Sequence, residues 1–204
     1  SRNDIDVLSK IPNVIVRDFD LDSELLSYLL ANIPCTSRFR NKNQLMCLAH
    51  FEAFGLLEEC EKVVWYDVDI GFQRDCSSIF DFAAPFGILP DTPWKVADQF
   101  TEPVAEYVMD TLAFCTAAMA LSNTLPHKAI REFLYENAWK YARQLYNPDQ
   151  AVINLAIQAF NIKPILIPPS EYCCFADRDE AITARAVHFG TDKKVWNNTN
   201  LCCA

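Results

Sequence analysis

Residues 63–66, Val-Val-Trp-Tyr, form a short run of β-branched and aromatic side chains that stops on two acids, Asp67 and Asp69. Such a run predicts a strand buried on both faces of a parallel-type sheet. In open α/β sheets the ligand crevice lies just past the carboxyl ends of the strands, so the two acids stand where function is usually placed. Only Val68 separates them, and alternation along an extended chain would send both carboxylates to the same side. Two convergent carboxylates suit a hard divalent cation, Mg2+ or Mn2+, which takes oxygen ligands and commonly bridges protein carboxylates to a diphosphate.

Composition narrows the partners. At 204 residues the chain is most simply one domain, spanning 1–204, and it has no apolar segment of membrane-spanning length. A net charge of −9 argues against a nucleic-acid surface, which draws its affinity from Lys and Arg. Only four glycines are present, with no G-x-G-x-x-G and no Walker loop, which removes the dinucleotide-binding and P-loop explanations for a phosphate site; a metal with one or two lysines could serve an anionic ligand instead. The nine cysteines form no C-x-x-C pair, which removes zinc spacing. Cys47 and Cys115 lie in apolar runs and read as buried thiols. The adjacent pairs Cys173-Cys174 and Cys202-Cys203, able to join in disulfides in a lumenal setting, and the sequon Asn197-Asn198-Thr199 leave both a cytoplasmic and a Golgi-lumenal setting open. The chain begins with Ser and without a signal peptide, as a processed or truncated piece would.

Along the chain, Asn13–Val16 reads as a strand and Leu25–Leu30 as a short helix led in by acids. Leu45, Leu48, Phe51 and Phe54 predict an amphipathic helix up to Gly55. From Phe82 to Asp110, Pro85, Pro90, Pro93 and Pro103 interrupt any periodicity, and the stretch reads as a long loop of the kind that forms lids and binding walls. Phe114–Leu121 predicts a buried strand. Ile130, Phe133, Leu134, Tyr141 and Leu145 predict a long helix from Pro126 to Asn147-Pro148. Asp149 then stands at the start of a further helix, where a carboxylate is favourably placed. Residues 165–167 and 184–189 read as short strands, the latter carrying His188 near its end.

Three segments together resemble glycosyltransferase family 8, the glycogenin and bacterial galactosyltransferase family of retaining enzymes that use nucleotide sugars. EKVVWYDVDIGFQRDCSSIFDF, residues 61–82, follows the family's metal-binding run; Asp149-Gln150 with Asn154 matches its "DQ..lN" motif; and His188, Lys194 and Trp196 match its "Hf.g..KpW" closing motif. The resemblance implies a GT-A fold, a three-layer α/β/α arrangement with a mixed sheet. The family's opening strand and helix, which cradle the base and ribose, have no counterpart, so the chain reads as N-terminally incomplete. Counting back from the acid-tipped strand puts His50 where the family carries a Lys or Arg that reaches the sugar nucleotide. Thr116 and Ala118 replace an Asn and a Gly of the family pattern, and Val195 replaces a Pro.

What the resemblance implies about function is a retaining hexosyltransferase using a UDP-sugar, dependent on Mn2+ or Mg2+. Asp67, Asp69 and His188 would hold the metal. Asp67, His50 and Lys194 would meet the donor diphosphate, Lys194 as a point charge on the leaving group. Asp149 would bind sugar hydroxyls, and Gln150 would sit beside the anomeric carbon. The departures at His50, Thr116 and Ala118 define a second reading, a catalytically impaired relative that binds a metal or nucleotide sugar as a scaffold. A metal-dependent phosphohydrolase built on the same acids is a third.

Overall fold

The structure is a computed structural model that describes residues 5, 7–19, 22–37 and 44–190. Its larger sheet has four strands: β1 (Lys62–Tyr66), β3 (Phe86–Lys95), β4 (Leu112–Ser122) and β5 (Ile165–Leu166), in the order β1-β4-β3-β5. β4 pairs antiparallel with both β1 and β3, whereas β3 and β5 run parallel. A smaller sheet, β2-β7-β6, joins β2 (Ile70–Phe72), β6 (Cys174–Phe175) and β7 (Ala186–His188).

Strand alternation splits the residues of the larger sheet between two cores. Val63, Met119 and Leu121 face a large cluster with Leu25, Leu48, Phe54, Ile130, Leu134 and Ile153. Ala118 and Ala120 face the opposite way, with Val64 and Tyr66 packed beside them, onto Ile79, Ile167 and Tyr172. The first face is covered by α1 (Ser23–Asn32), a 3-10 helix Gln44–Phe51 continuing into α2 (Glu52–Gly55), α3 (His127–Lys140) and α4 (Pro148–Ala159). The second is covered by a 3-10 turn, Ser77–Asp81, and α5 (Pro169–Tyr172). Fully buried side chains such as Met119, Ile130 and Leu134 each stabilise the packed layers by about 1.5–3 kcal/mol relative to an exposed position. Asp22 caps α1 by accepting from the amides of Glu24 and Leu25, and Glu52 ties α2 to α3 by accepting from Arg131 and Tyr135.

Four expectations are corrected. Strand β1 lies at the edge of the described sheet and pairs antiparallel, and only Val63 of its residues is fully buried. The apolar run is satisfied by two side-chain layers and needs no strand on its other side to bury them. Residues 13–16 form no strand: Asn13 takes a left-handed φ of 62°, Val14 and Ile15 are exposed, and no ladder among the described residues pairs the segment. The helix around His50 is mostly 3-10, and the spacing of Leu45, Leu48, Phe51 and Phe54 explains it, because side chains recur on one face every three residues in that geometry. The expected loop after Phe82 contains β3, which accommodates its prolines at register irregularities between Ile88 and Leu89 and between Pro90 and Lys95.

Asn154 helps fasten α4 to β4. It accepts from the Phe114 amide and donates to the Phe114 and Gln150 carbonyls, all at 2.8–2.9 Å. Phe114 faces Pro90 in register, and proline has no amide hydrogen to donate. Asn154 is buried, so Asn154→Ala leaves main-chain groups without partners and should destabilise the protein by about 2–3 kcal/mol in a urea titration.

Candidate active site

The acids converge through a turn. The Asp67 amide makes the last bond from the end of β1 to β4, donating to the Ala117 carbonyl at 3.0 Å. The Ile70 amide then returns to the Asp67 carbonyl at 3.2 Å, closing a turn over 67–70. This replaces the expected strand alternation: Val68 is turned outward at 94% exposure, while Asp69 is folded in at 8%.

β2 begins where the turn ends, and its ladder with β7 sets Ile70 opposite His188. The Phe189 amide donates to the Asp69 carbonyl at 3.0 Å, which locks the register. His188 thereby reaches the acids, with Nε2 3.2 Å from Asp69 Oδ1 and 3.9 Å from Asp67 Oδ2. Its ring stacks on Phe175, and among the described residues its buried Nδ1 has no hydrogen-bond partner while Nε2 faces the acids. Ligand atoms of Asp67, Asp69 and His188 all lie within 4.8 Å of one another. Two carboxylates and an imidazole are a donor set that Mn2+ accepts, and the convergence of two like charges on one imidazole edge is the arrangement that a cation stabilises.

His50 lies behind this group. Its Nε2 is 2.8 Å from Asp67 Oδ1, and its Nδ1 faces the Cys47 carbonyl and lies 3.2 Å from Asp149 Oδ2. Burial disfavours the charged ring, but Asp149 and Asp67 together outweigh it and raise the pKa to about 9. The ring therefore carries a proton on both nitrogens at neutral pH. Thr116, a departure from the family pattern, donates to the same Asp149 Oδ2 at 2.9 Å.

Asp149 and Gln150 open α4 and are 3% and 6% exposed. The amide nitrogen of Gln150 donates to Asp91 Oδ2, which Gln99 also approaches at 3.4 Å. A carboxylate only accepts, so this contact fixes which end of the Gln150 amide faces β3 and frees the carbonyl oxygen to face elsewhere. Asp91 is the site residue that sequence reasoning missed. It lies between two prolines in a stretch without periodicity, and nothing local marks it. Lys194 and Trp196, the sequon at 197–199 and Cys202-Cys203 lie outside the described residues. The thiols near the acids are free, as are Cys173 and Cys174, and burial drives Cys47 well above the ordinary thiol range and Cys115 up to about 12, so they stay neutral.

No protein-family model matches the chain, and no curated protein does. Solved structures do. An active-site mutant of LgtC, in which glutamate replaces a glutamine, superposes at a TM-score of 0.65 with 14% identity over 100% of this chain and 76% of that one. The bifunctional glycosyltransferase WbbM in its apo form gives 0.60 with 13% identity over 94% of this chain, which spans 38% of WbbM's length. Mouse xyloside xylosyltransferase 1, also apo, gives 0.50 with 10% identity over 83% of this chain and 71% of that one. The chain has a GT-A glycosyltransferase fold. Its mixed sheet and the acids at the end of β1 agree with the fold class expected from the sequence.

The His50 contacts predict a pH dependence. A group whose folded-state pKa is raised above about 6.5 contributes stability that is fully present below that value and is lost as the pH rises through about 9. Melting curves in EDTA should show wild type losing on the order of 3 kcal/mol between pH 6.5 and 10 relative to His50→Gln. Parallel curves for the two proteins would refute a charged His50.

Proposed function

We propose that this chain is a retaining hexosyltransferase of the family 8 type, moving a hexose from a UDP-sugar to an acceptor with Mn2+ bound by Asp67, Asp69 and His188. The observation that carries this reading is the convergence of those three side chains at the end of β1 in a GT-A fold. When bound, the ion supplies Lewis-acid stabilisation of negative charge building on the departing diphosphate.

The chain's own residues have separate tasks. Asp67 and Asp69 hold the ion from one turn, and His188 from the neighbouring ladder. Lys194 adds a positive charge to the leaving group. Asp149, buried and already anchored by Thr116, accepts from sugar hydroxyls. Gln150, its nitrogen held by Asp91, turns its carbonyl oxygen to the anomeric centre, where positive charge develops. An amide stabilises such charge but is a poor nucleophile. No side chain among these is placed as a strong base, which fits front-face chemistry in which the leaving phosphate takes the acceptor proton. The active-site glutamine of LgtC accords with a role for Gln150 at the reacting centre.

A second reading, a binding-only relative, is favoured by one observation. Both nitrogens of His50 face acids and not an open donor site, so the cation expected on the diphosphate is engaged elsewhere. The two readings separate in one assay, Mn2+-dependent release of UDP from UDP-glucose and UDP-galactose, since transferases leak some donor to water. Asp69→Asn is nearly isosteric and should lower that release on the order of 10²-fold with the fold intact, as should His188→Ala. Mn2+ and UDP binding without UDP release would favour the binding-only protein, and release of inorganic phosphate would indicate a phosphohydrolase.

A further inference from the structure

Asp67 offers its two carboxylate oxygens to different partners. Oδ1 lies 2.8 Å from His50 Nε2, while Oδ2 is the oxygen on the side of His188, 3.9 Å from its Nε2. The opposite edge of the His50 ring is also engaged, by the Cys47 carbonyl and by Asp149 Oδ2 at 3.2 Å. The ring is 6% exposed and lies against the Trp65 indole, with centroids 5.1 Å apart. It has no free nitrogen for a ligand.

We propose that His50 is a positioning residue. It pins Oδ1 of Asp67 so that Oδ2 alone is presented to the metal, and it joins the metal-binding turn to Asp149, the proposed sugar-binding acid of α4. This rests on the metal-dependent reading above and replaces the diphosphate contact expected for position 50.

The physical case is one of restricted rotation. A carboxylate rotates broadly about its last torsion, and a turn such as 67–70 does not by itself choose which oxygen faces the ion. Hydrogen bonds from outside the ligand set make that choice, and losing such a partner typically lowers metal affinity 10–100-fold. His50 can act this way because it is itself immobile. The three-residue repeat of its 3-10 helix brings the Cys47 carbonyl onto Nδ1, and Thr116 holds the shared Asp149 oxygen from β4 at 2.9 Å. One ring thus touches an acid from the strand end and an acid from the helix start, so a pull on either is felt by the other.

The test compares wild type with His50→Gln, using Mn2+ alone and then UDP in EDTA, by calorimetry. The expected result is a Mn2+ Kd weakened 10–100-fold with UDP affinity in EDTA unchanged. Unchanged Mn2+ affinity, or a loss confined to UDP binding in EDTA, overturns the proposal, the latter by returning His50 to the diphosphate. Should His50→Gln not fold, His50→Lys keeps a donor for Asp67 and is expected to bind Mn2+ within a few-fold of wild type; a tenfold or larger loss there overturns the proposal as well. If wild type itself binds no Mn2+, the functional reading fails and the pinning is judged separately. Melting His50→Gln, Asp67→Asn and the double variant in EDTA should then give a double Tm shift smaller than the sum of the singles. Additive shifts would overturn the pinning.

Discussion

Three carboxylates, those of Asp67, Asp69 and Asp149, are drawn to one end of a sheet, and their mutual repulsion is the condition that the surrounding structure answers. Like charges in a poorly solvated site disfavour one another strongly, and each must be matched or hydrogen-bonded. His50 answers for two of them, standing between Asp67 and Asp149. His188 answers for Asp69, and Thr116 adds a donor to the Asp149 oxygen that His50 also faces. Asp67, Asp69 and His188 converge on a single point, their ligand atoms all within 4.8 Å of one another.

The rest of the fold supplies the rigidity this arrangement needs. β4 lies between β1 and β3 and carries Thr116 and Ala117, whose side chain and carbonyl set Asp149 and Asp67 respectively. Asn154 sutures α4 to the same strand, so the helix start that bears Asp149 and Gln150 moves with the sheet. Asp91 fixes Gln150 from β3. The candidate site is therefore assembled from neighbouring strands of one sheet and one helix, with a histidine delivered by a second, smaller sheet.

Much of this was legible in the sequence, for uneven reasons. The acids at the end of β1 could be read from residues alone, because an apolar run followed by Asp-x-Asp has both a place and a chemistry. The pairing of His188 with them came only through resemblance, since no local signal links positions 69 and 188. The role of His50 was not legible: its partners Asp67 and Asp149 meet it only after folding, and a helical histidine has no characteristic pattern. Asp91 was hidden by prolines that argue against a strand, because the irregular register that accommodates them is a tertiary matter. The spacing of Leu45, Leu48, Phe51 and Phe54 was in plain view, and its strict three-residue repeat matches the 3-10 helix that carries the first three of them.

β2 and β7 are three residues each, and only their register sets His188 beside Asp69. Side chains in a strand alternate, so slipping this ladder by one residue would carry the imidazole to the opposite face. The centre is thus tolerant of changed side chains along the ribbon yet brittle to changed length. A single insertion or deletion within 67–72 or 185–189 would dismantle it while leaving every acid and imidazole in the sequence.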